Sequence, residues 1–172
     1  MPPPAQPERT CSRCIATATA TGARCRNRTC RSQYCWQHLK RDRGLRVKPS
    51  GVAGGAAGYG LYATRLIPSH RVIDTYSGIE MTRRELNDLY GAVDANYALC
   101  RSRKRDPGGA RCVDARRTNA SAARFANTTT AQQRGRRNAK LTSNFSLRST
   151  KNIRPNQEIF TPYNASASFG LG

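Results

Sequence analysis

Apolar positions along the chain come in short bursts. Leu61-Tyr62-Ala63 and Val72-Ile73-Asp74-Thr75-Tyr76 read as strands on either side of a Pro68-Ser69-His70 turn. Further strands are expected at Tyr97–Cys100, Arg111–Asp114, Leu141–Leu147 and Glu158–Thr161. Between the first two lies a charged hairpin tip, Arg101 to Gly109. One helix is well signalled. Thr82-x-x-Glu85 forms a capping box, Leu86, Leu89 and Tyr90 supply an apolar stripe, and Gly91 stands where a helix would stop. Many short strands around one or two helices give a mainly β fold.

Composition divides the chain further. Residues 1–10 are proline-rich and expected to be disordered, and residues 11–38 hold five of the seven cysteines. Residues 39–50 read as a basic linker, and residues 51–172 as one β-rich domain that opens with a flexible Gly/Ala loop. The net charge is +20, from 30 basic and 10 acidic residues. That field favours a polyanionic neighbourhood, nucleic acid or chromatin. No apolar run approaches the roughly 20 residues that span a bilayer, and the start lacks a signal-peptide core. The expectation is therefore an intracellular protein with no membrane partner and with reduced cysteines.

The cysteines at 11–38 are spaced as metal ligands. Cys35-x2-His38 is a close pair of the kind that lets one turn supply two ligands, and Cys14 and Cys25 are the preferred partners. Cys11 and Cys30 are then spare or substitute ligands. A segment this short buries little core, so the expectation is a small zinc-dependent module.

Gly58-Tyr59-Gly60-Leu61-Tyr62-Ala63 lacks the third glycine and the following helix of a dinucleotide fingerprint. Instead, this Gly-x-Gly turn is followed in order by the run Val113-Asp114-Ala115 leading to Arg124-Phe125-x-Asn127, and then by Glu158-Ile159-x-x-x-Tyr163. In this order and spacing the three stretches resemble the SET-domain protein-lysine methyltransferases. The resemblance covers residues 44–170 and is closest to the compact viral or microbial type. It implies a β-clip-like fold with a C-terminal pseudoknot, and a site for S-adenosylmethionine formed by Gly58, Tyr59, Gly60, Arg124, Phe125, Asn127 and Tyr163. Tyr163 is implied to be catalytic. Tyr76, Tyr97 and Phe160 are candidate walls for a lysine stem.

Departures are specific. Thr128-Thr129 replace the family's His-Ser, a basic insertion precedes Asn138, Asn156 replaces a turn glycine, and Thr161-Pro162 precede Tyr163. No cysteine follows Cys112. Closure of the lysine channel therefore falls to the tail Phe169-Gly170-Leu171-Gly172 or to a partner chain, a homodimer included. The implied function is methylation of a lysine on a protein, with histone favoured, in the nucleus or in a host nucleus. Nucleic acid or nucleosome contact comes with the charge. The alternative is a non-catalytic scaffold that binds nucleic acid or chromatin through its metal module and Arg clusters.

Overall fold

The computed structural model describes residues 11–18, 20–52, 58–91, 97–101, 111–116 and 120–162. The charged tip at 102–109, Tyr163 and the tail at 169–172 lie outside them.

Among the described residues, four small sheets make up the body and the N-terminal arm. In the arm, β1 (Ser12–Arg13) pairs antiparallel with β2 (Arg28–Thr29). Helix α1 (Trp36–Arg43) follows, and Gly44 ends it in the left-handed conformation at φ 67°. Strand β3 (Leu45–Pro49) then pairs along its whole length with β4 (Tyr59–Ala63). The stretch read as a linker is thus built structure. Leu39 and Leu45 are buried among the basic residues and anchor it to the core.

Strand β5 (Val72–Thr75) pairs with β10 (Ser146–Ser149), which also pairs with β9 (Ala139–Leu141). The single strand expected at 141–147 is instead a tight hairpin, with Phe145 at φ 62° in its turn. Strand β6 (Ile79–Thr82) is an addition to the expected set; it pairs with β8 (Arg111–Asp114), whose other edge takes β7 (Ala98–Arg101). Helix α2 (Arg83–Tyr90) carries the anticipated capping box. Leu86 is its buried anchor, whereas Leu89 is 48% exposed and does not belong to the apolar stripe. The Tyr90 hydroxyl instead reaches the Asp114 carboxylate at 2.6 Å.

One continuous core joins β3, β4, β5, β8 and β10 to the short 3-10 turn Ala122–Phe125, with Leu61, Leu147, Ile153 and Ile159 fully enclosed. Among the described residues, no helix is long and apolar enough to cross a membrane.

Four cysteines are paired, against expectation. Cys100 and Cys112 stand directly opposite each other on β7 and β8 and form a disulfide; Cys11 and Cys30 form another beside the β1–β2 pair. Antiparallel register places such side chains on one face within bonding reach.

Candidate active site and metal centre

Three distant stretches of backbone meet at the start of β4. Gly58 sits at φ 60°, a left-handed turn that glycine takes without steric cost. The Asn127 side chain crosses to this turn and donates from Nδ2 to the Tyr59 carbonyl at 2.9 Å. Asn127 also pairs through its backbone with the C-terminal segment: Thr161 N–H donates to its carbonyl at 2.9 Å, and Asn127 and Phe160 form a parallel bridge.

That C-terminal segment is threaded rather than laid in a sheet. Ile159 N–H donates to Leu61 carbonyl at 2.7 Å on one side, and Ala139 N–H donates to Phe160 carbonyl at 3.0 Å on the other. The residues at 158–161 therefore make single bridges to several neighbours instead of the regular strand anticipated. Asn138 is the pin. It is fully buried, donates from Nδ2 to Glu158 carbonyl at 2.8 Å, and accepts from Phe160 N–H at 2.9 Å. Its carboxamide acts as a substitute strand.

Gly60 is also constrained from within the chain: a Cβ there would run into the Glu158 carboxylate. Glu158 is 3% exposed and accepts from Ser50 Oγ at 2.6 Å, Gly51 N–H at 2.9 Å and Tyr62 hydroxyl at 2.9 Å. Burial, and then the Glu158 carboxylate, push the Tyr62 phenol up to about 12. This network ties the start of the Gly/Ala loop to the threaded segment. Its signal in the sequence is a lone acid in the apolar run Glu158-Ile159-Phe160.

Arg124 and Phe125 are both inside. Arg124 is 4% exposed and donates to the carbonyls of Ala115 at 2.5 Å and Arg31 at 2.7 Å. Burial lowers its pKa from the ordinary arginine value. Phe125 meets the Tyr59 ring edge-on, with centroids 6.4 Å apart. Asp74 supports this box and escapes sequence reasoning. It accepts from Ala123 N–H at 3.1 Å and pairs with Arg43 at 2.9 Å. A carboxylate in the middle of the apolar strand Val72–Thr75 is the available clue.

Gly58, Tyr59, Gly60, Arg124, Phe125 and Asn127 are thus brought together, with Gly58, Tyr59 and Asn127 half-buried at the surface. Thr161 stands beside them, fully buried, with its hydroxyl lacking a protein partner among the described residues. Of the aromatic walls expected, Phe160 and Tyr76 are enclosed in the interior and Tyr97 is half-buried. Tyr76 donates its hydroxyl to Tyr97 carbonyl at 2.6 Å.

In the arm, the ligand atoms of Cys14, Cys25, Cys35 and His38 all lie within 4.8 Å of one another, a donor set of three thiols and one imidazole that could hold a metal ion. Helix α1 sets two of them, with Cys35 as its N-cap and His38 one turn on, and Cys35 Sγ stands 3.1 Å from His38 Nδ1. Burial raises the Cys14 thiol. Burial also raises Cys35, but hydrogen bonds from His38 and Asn27 outweigh it and bring the thiol down to about 6. Around the four ligands the arm has only a minimal core of Cys14, Ala16 and Cys35, backed by Cys25 and Tyr34. Cys11 and Cys30 stand apart in their disulfide.

Comparison with known proteins agrees with this geometry. Among curated proteins nothing matches the sequence. Among solved structures, the chain is similar to the SET domain of ATXR5 in complex with histone H3 di-methylated on an arginine, at 17% identity and a TM-score of 0.55, over 71% of this chain and 58% of that one. The chain thus spans little more than half the length of that structure. It is also similar to the methyltransferase domain of human PR domain-containing protein 2, at 22% identity and a TM-score of 0.54, over 75% of this chain and 84% of that one. The family model of the SET domain matches residues 58–164, which runs from the glycine turn through the threaded segment, and the chain belongs to the SET domain family.

Proposed function

We propose that the protein is an S-adenosylmethionine-dependent protein-lysine N-methyltransferase acting on a histone or another chromatin-associated protein, inside the cell. The observation that carries this reading is the Asn127–Tyr59 hydrogen bond beside the threaded segment. It joins the glycine turn to the Arg-Phe-x-Asn box, and the Asn127 carbonyl in turn accepts from Thr161, two residues before Tyr163.

S-adenosylmethionine would supply an electrophilic methyl group on a sulfonium. Gly58, Tyr59 and Asn127, half-buried at the surface, are the residues that would hold it, with the buried Thr161 hydroxyl as an unused polar atom alongside. A lysine amine, with a pKa near ~10.4, must lose its proton to act as nucleophile. Arginine resists that loss, whereas lysine shifts readily on burial, which is why lysine is the preferred target. Two buried acids that border the site, Glu158 and Asp74, are already engaged and do not hold the amine in its charged form. Glu158 is taken by Ser50, Gly51 and Tyr62, and Asp74 by Arg43 and Ala123. Tyr163, two residues beyond Thr161, is assigned to orient the amine.

Histone H3 is the peptide in the ATXR5 structure, and charge refines that analogy here. A chain of net charge +20 repels an isolated basic tail and is drawn to nucleosomal DNA. Zinc is proposed for the four-ligand cluster, where it would stabilise the arm.

The test is incubation with labelled S-adenosylmethionine and either nucleosomes, free histones or a cell extract, wild type against Tyr163→Phe. Labelled lysine in nucleosomal histone, lost in Tyr163→Phe, is the expected result. Turnover on isolated tails equal to that on nucleosomes at physiological salt contradicts the substrate assignment. Absence of both labelling and cofactor binding contradicts the enzyme and leaves a scaffold.

A further inference from the structure

Helix α1 has two faces of opposite character. Cys35, His38 and Leu39 point toward the metal cluster and the core. Trp36, Gln37, Lys40 and Arg41 point outward, and with Thr64, Arg65 and the edge of the cluster residue His38 they line a groove of about 650 Å³ between the helix and the turn after β4. Trp36 is 68% exposed. Gln37 is held by Asn27 Nδ2 at 3.1 Å, and Arg41 pairs with its neighbour Asp42 at 2.5 Å, with 60% of its own side chain still exposed. The Arg65 stem fills the space over Gly44, which fixes its course along the groove. No carboxylate is among the lining residues.

We propose that this groove binds single-stranded nucleic acid, with an unpaired base stacked on the Trp36 indole and flanking phosphates seated by Lys40, Arg41 and Arg65. Spacing of four residues puts Trp36 and Lys40 on the same helical face, one turn apart. An exposed aromatic plane beside cations is the arrangement that takes a base and its phosphate together. A cationic peptide is repelled by the three basic side chains. An acidic peptide satisfies the charge but brings no planar ring to the indole. A closed duplex keeps its base faces stacked within the helix. None of Gly58, Tyr59 or Asn127 belongs to the groove, so the proposal stands or falls separately from methyl transfer.

Trp36 is the only tryptophan in the chain, so its emission reports on the groove directly. The experiment titrates the zinc-loaded full chain with twelve-nucleotide oligo-dT and oligo-U, a blunt duplex of about the same length, and polyglutamate. Saturable quenching by the single strands is expected, the tighter of the two strands identifying DNA or RNA as the ligand. With labelled strand, Trp36→Ala should weaken binding about ten-fold or more, while Trp36→Phe keeps most of the affinity. Lys40→Glu combined with Arg65→Glu should lower the slope of log affinity against log salt by more than about one. Zinc content and circular dichroism establish that each variant is folded. The proposal is overturned by saturation without quenching, by Trp36→Ala binding as tightly as wild type, or by duplex or polyglutamate binding and quenching as strongly as the single strands.

Discussion

Glu158 and Ser50 are 108 positions apart in sequence, and their side chains meet at 2.6 Å. With Gly51 and Tyr62 also donating, one buried carboxylate holds the start of the Gly/Ala loop against the threaded segment. Glu158→Ala would strip three donors of their acceptor and should cost about 3 kcal/mol of unfolding free energy. Glu158→Gln, which keeps one acceptor oxygen, should cost about half as much. Urea denaturation at pH 7 measures both. A loss below about 1 kcal/mol in Glu158→Ala would mean that the donors find new partners.

The same network predicts an alkaline transition. Tyr62 titrates at about 12 in the folded chain against 10.0 ordinarily, because of burial and then Glu158. Between those values the unfolded chain has lost the phenolic proton and the folded chain has kept it, so stability falls as pH rises through that window. Below pH 10 the contribution is fully present. Tyr62→Phe should flatten the decline of stability between pH 10 and pH 12 relative to wild type, read by thermal melts across that range.

Asn127→Ala removes the bond to Tyr59 and should weaken binding of the demethylated cofactor product about ten-fold, or about 1.4 kcal/mol. Isothermal titration provides the check. Affinity equal to wild type would remove Asn127 from the cofactor site.

Asp74→Ala leaves Arg43 and Ala123 N–H without their partner. The Arg43 side chain is 38% exposed, so water screens part of the pair, and about 2 kcal/mol of destabilisation is expected rather than the larger cost of breaking a fully buried pair. Asp74→Asn, able to keep the Ala123 acceptor, should fall between the two. Chemical denaturation ranks the three proteins.

Metal analysis should find one zinc per chain. Cys35→Ser should lose it and lower the melting temperature, as should a strong chelator. The double change Cys11→Ser and Cys30→Ser removes a disulfide outside the cluster and should leave the zinc in place. Zinc lost from that double variant, or retained in Cys35→Ser, would show that the ligand set is different.

The four-ligand cluster is legible in the sequence because close Cys and His spacing is a local signal, and the capping box at Thr82 and Glu85 is legible for the same reason. The stretch at 39–50 is not, because its two buried leucines are masked by five basic neighbours in an ordinary hydropathy pattern. The two disulfides read as free thiols when a compartment is inferred first, while cross-strand register decides the pairing. The crowding of Gly60 by Glu158 is not legible either, because the two lie nearly a hundred residues apart. Order and spacing of the three family stretches carry the site. The hydrogen bonds that close it, from Asn138 and Glu158, run between residues that no sequence window contains together.

The Arg31 guanidinium lies 4.1 Å above the Tyr59 ring and donates to its hydroxyl at 2.8 Å, while the Arg31 carbonyl receives Arg124. A residue four positions before a cluster ligand thus forms the roof over the glycine turn. The zinc proposed for the cluster would then steady more than the arm: its removal should also free Arg31 from the Tyr59 ring and leave the glycine turn without that contact.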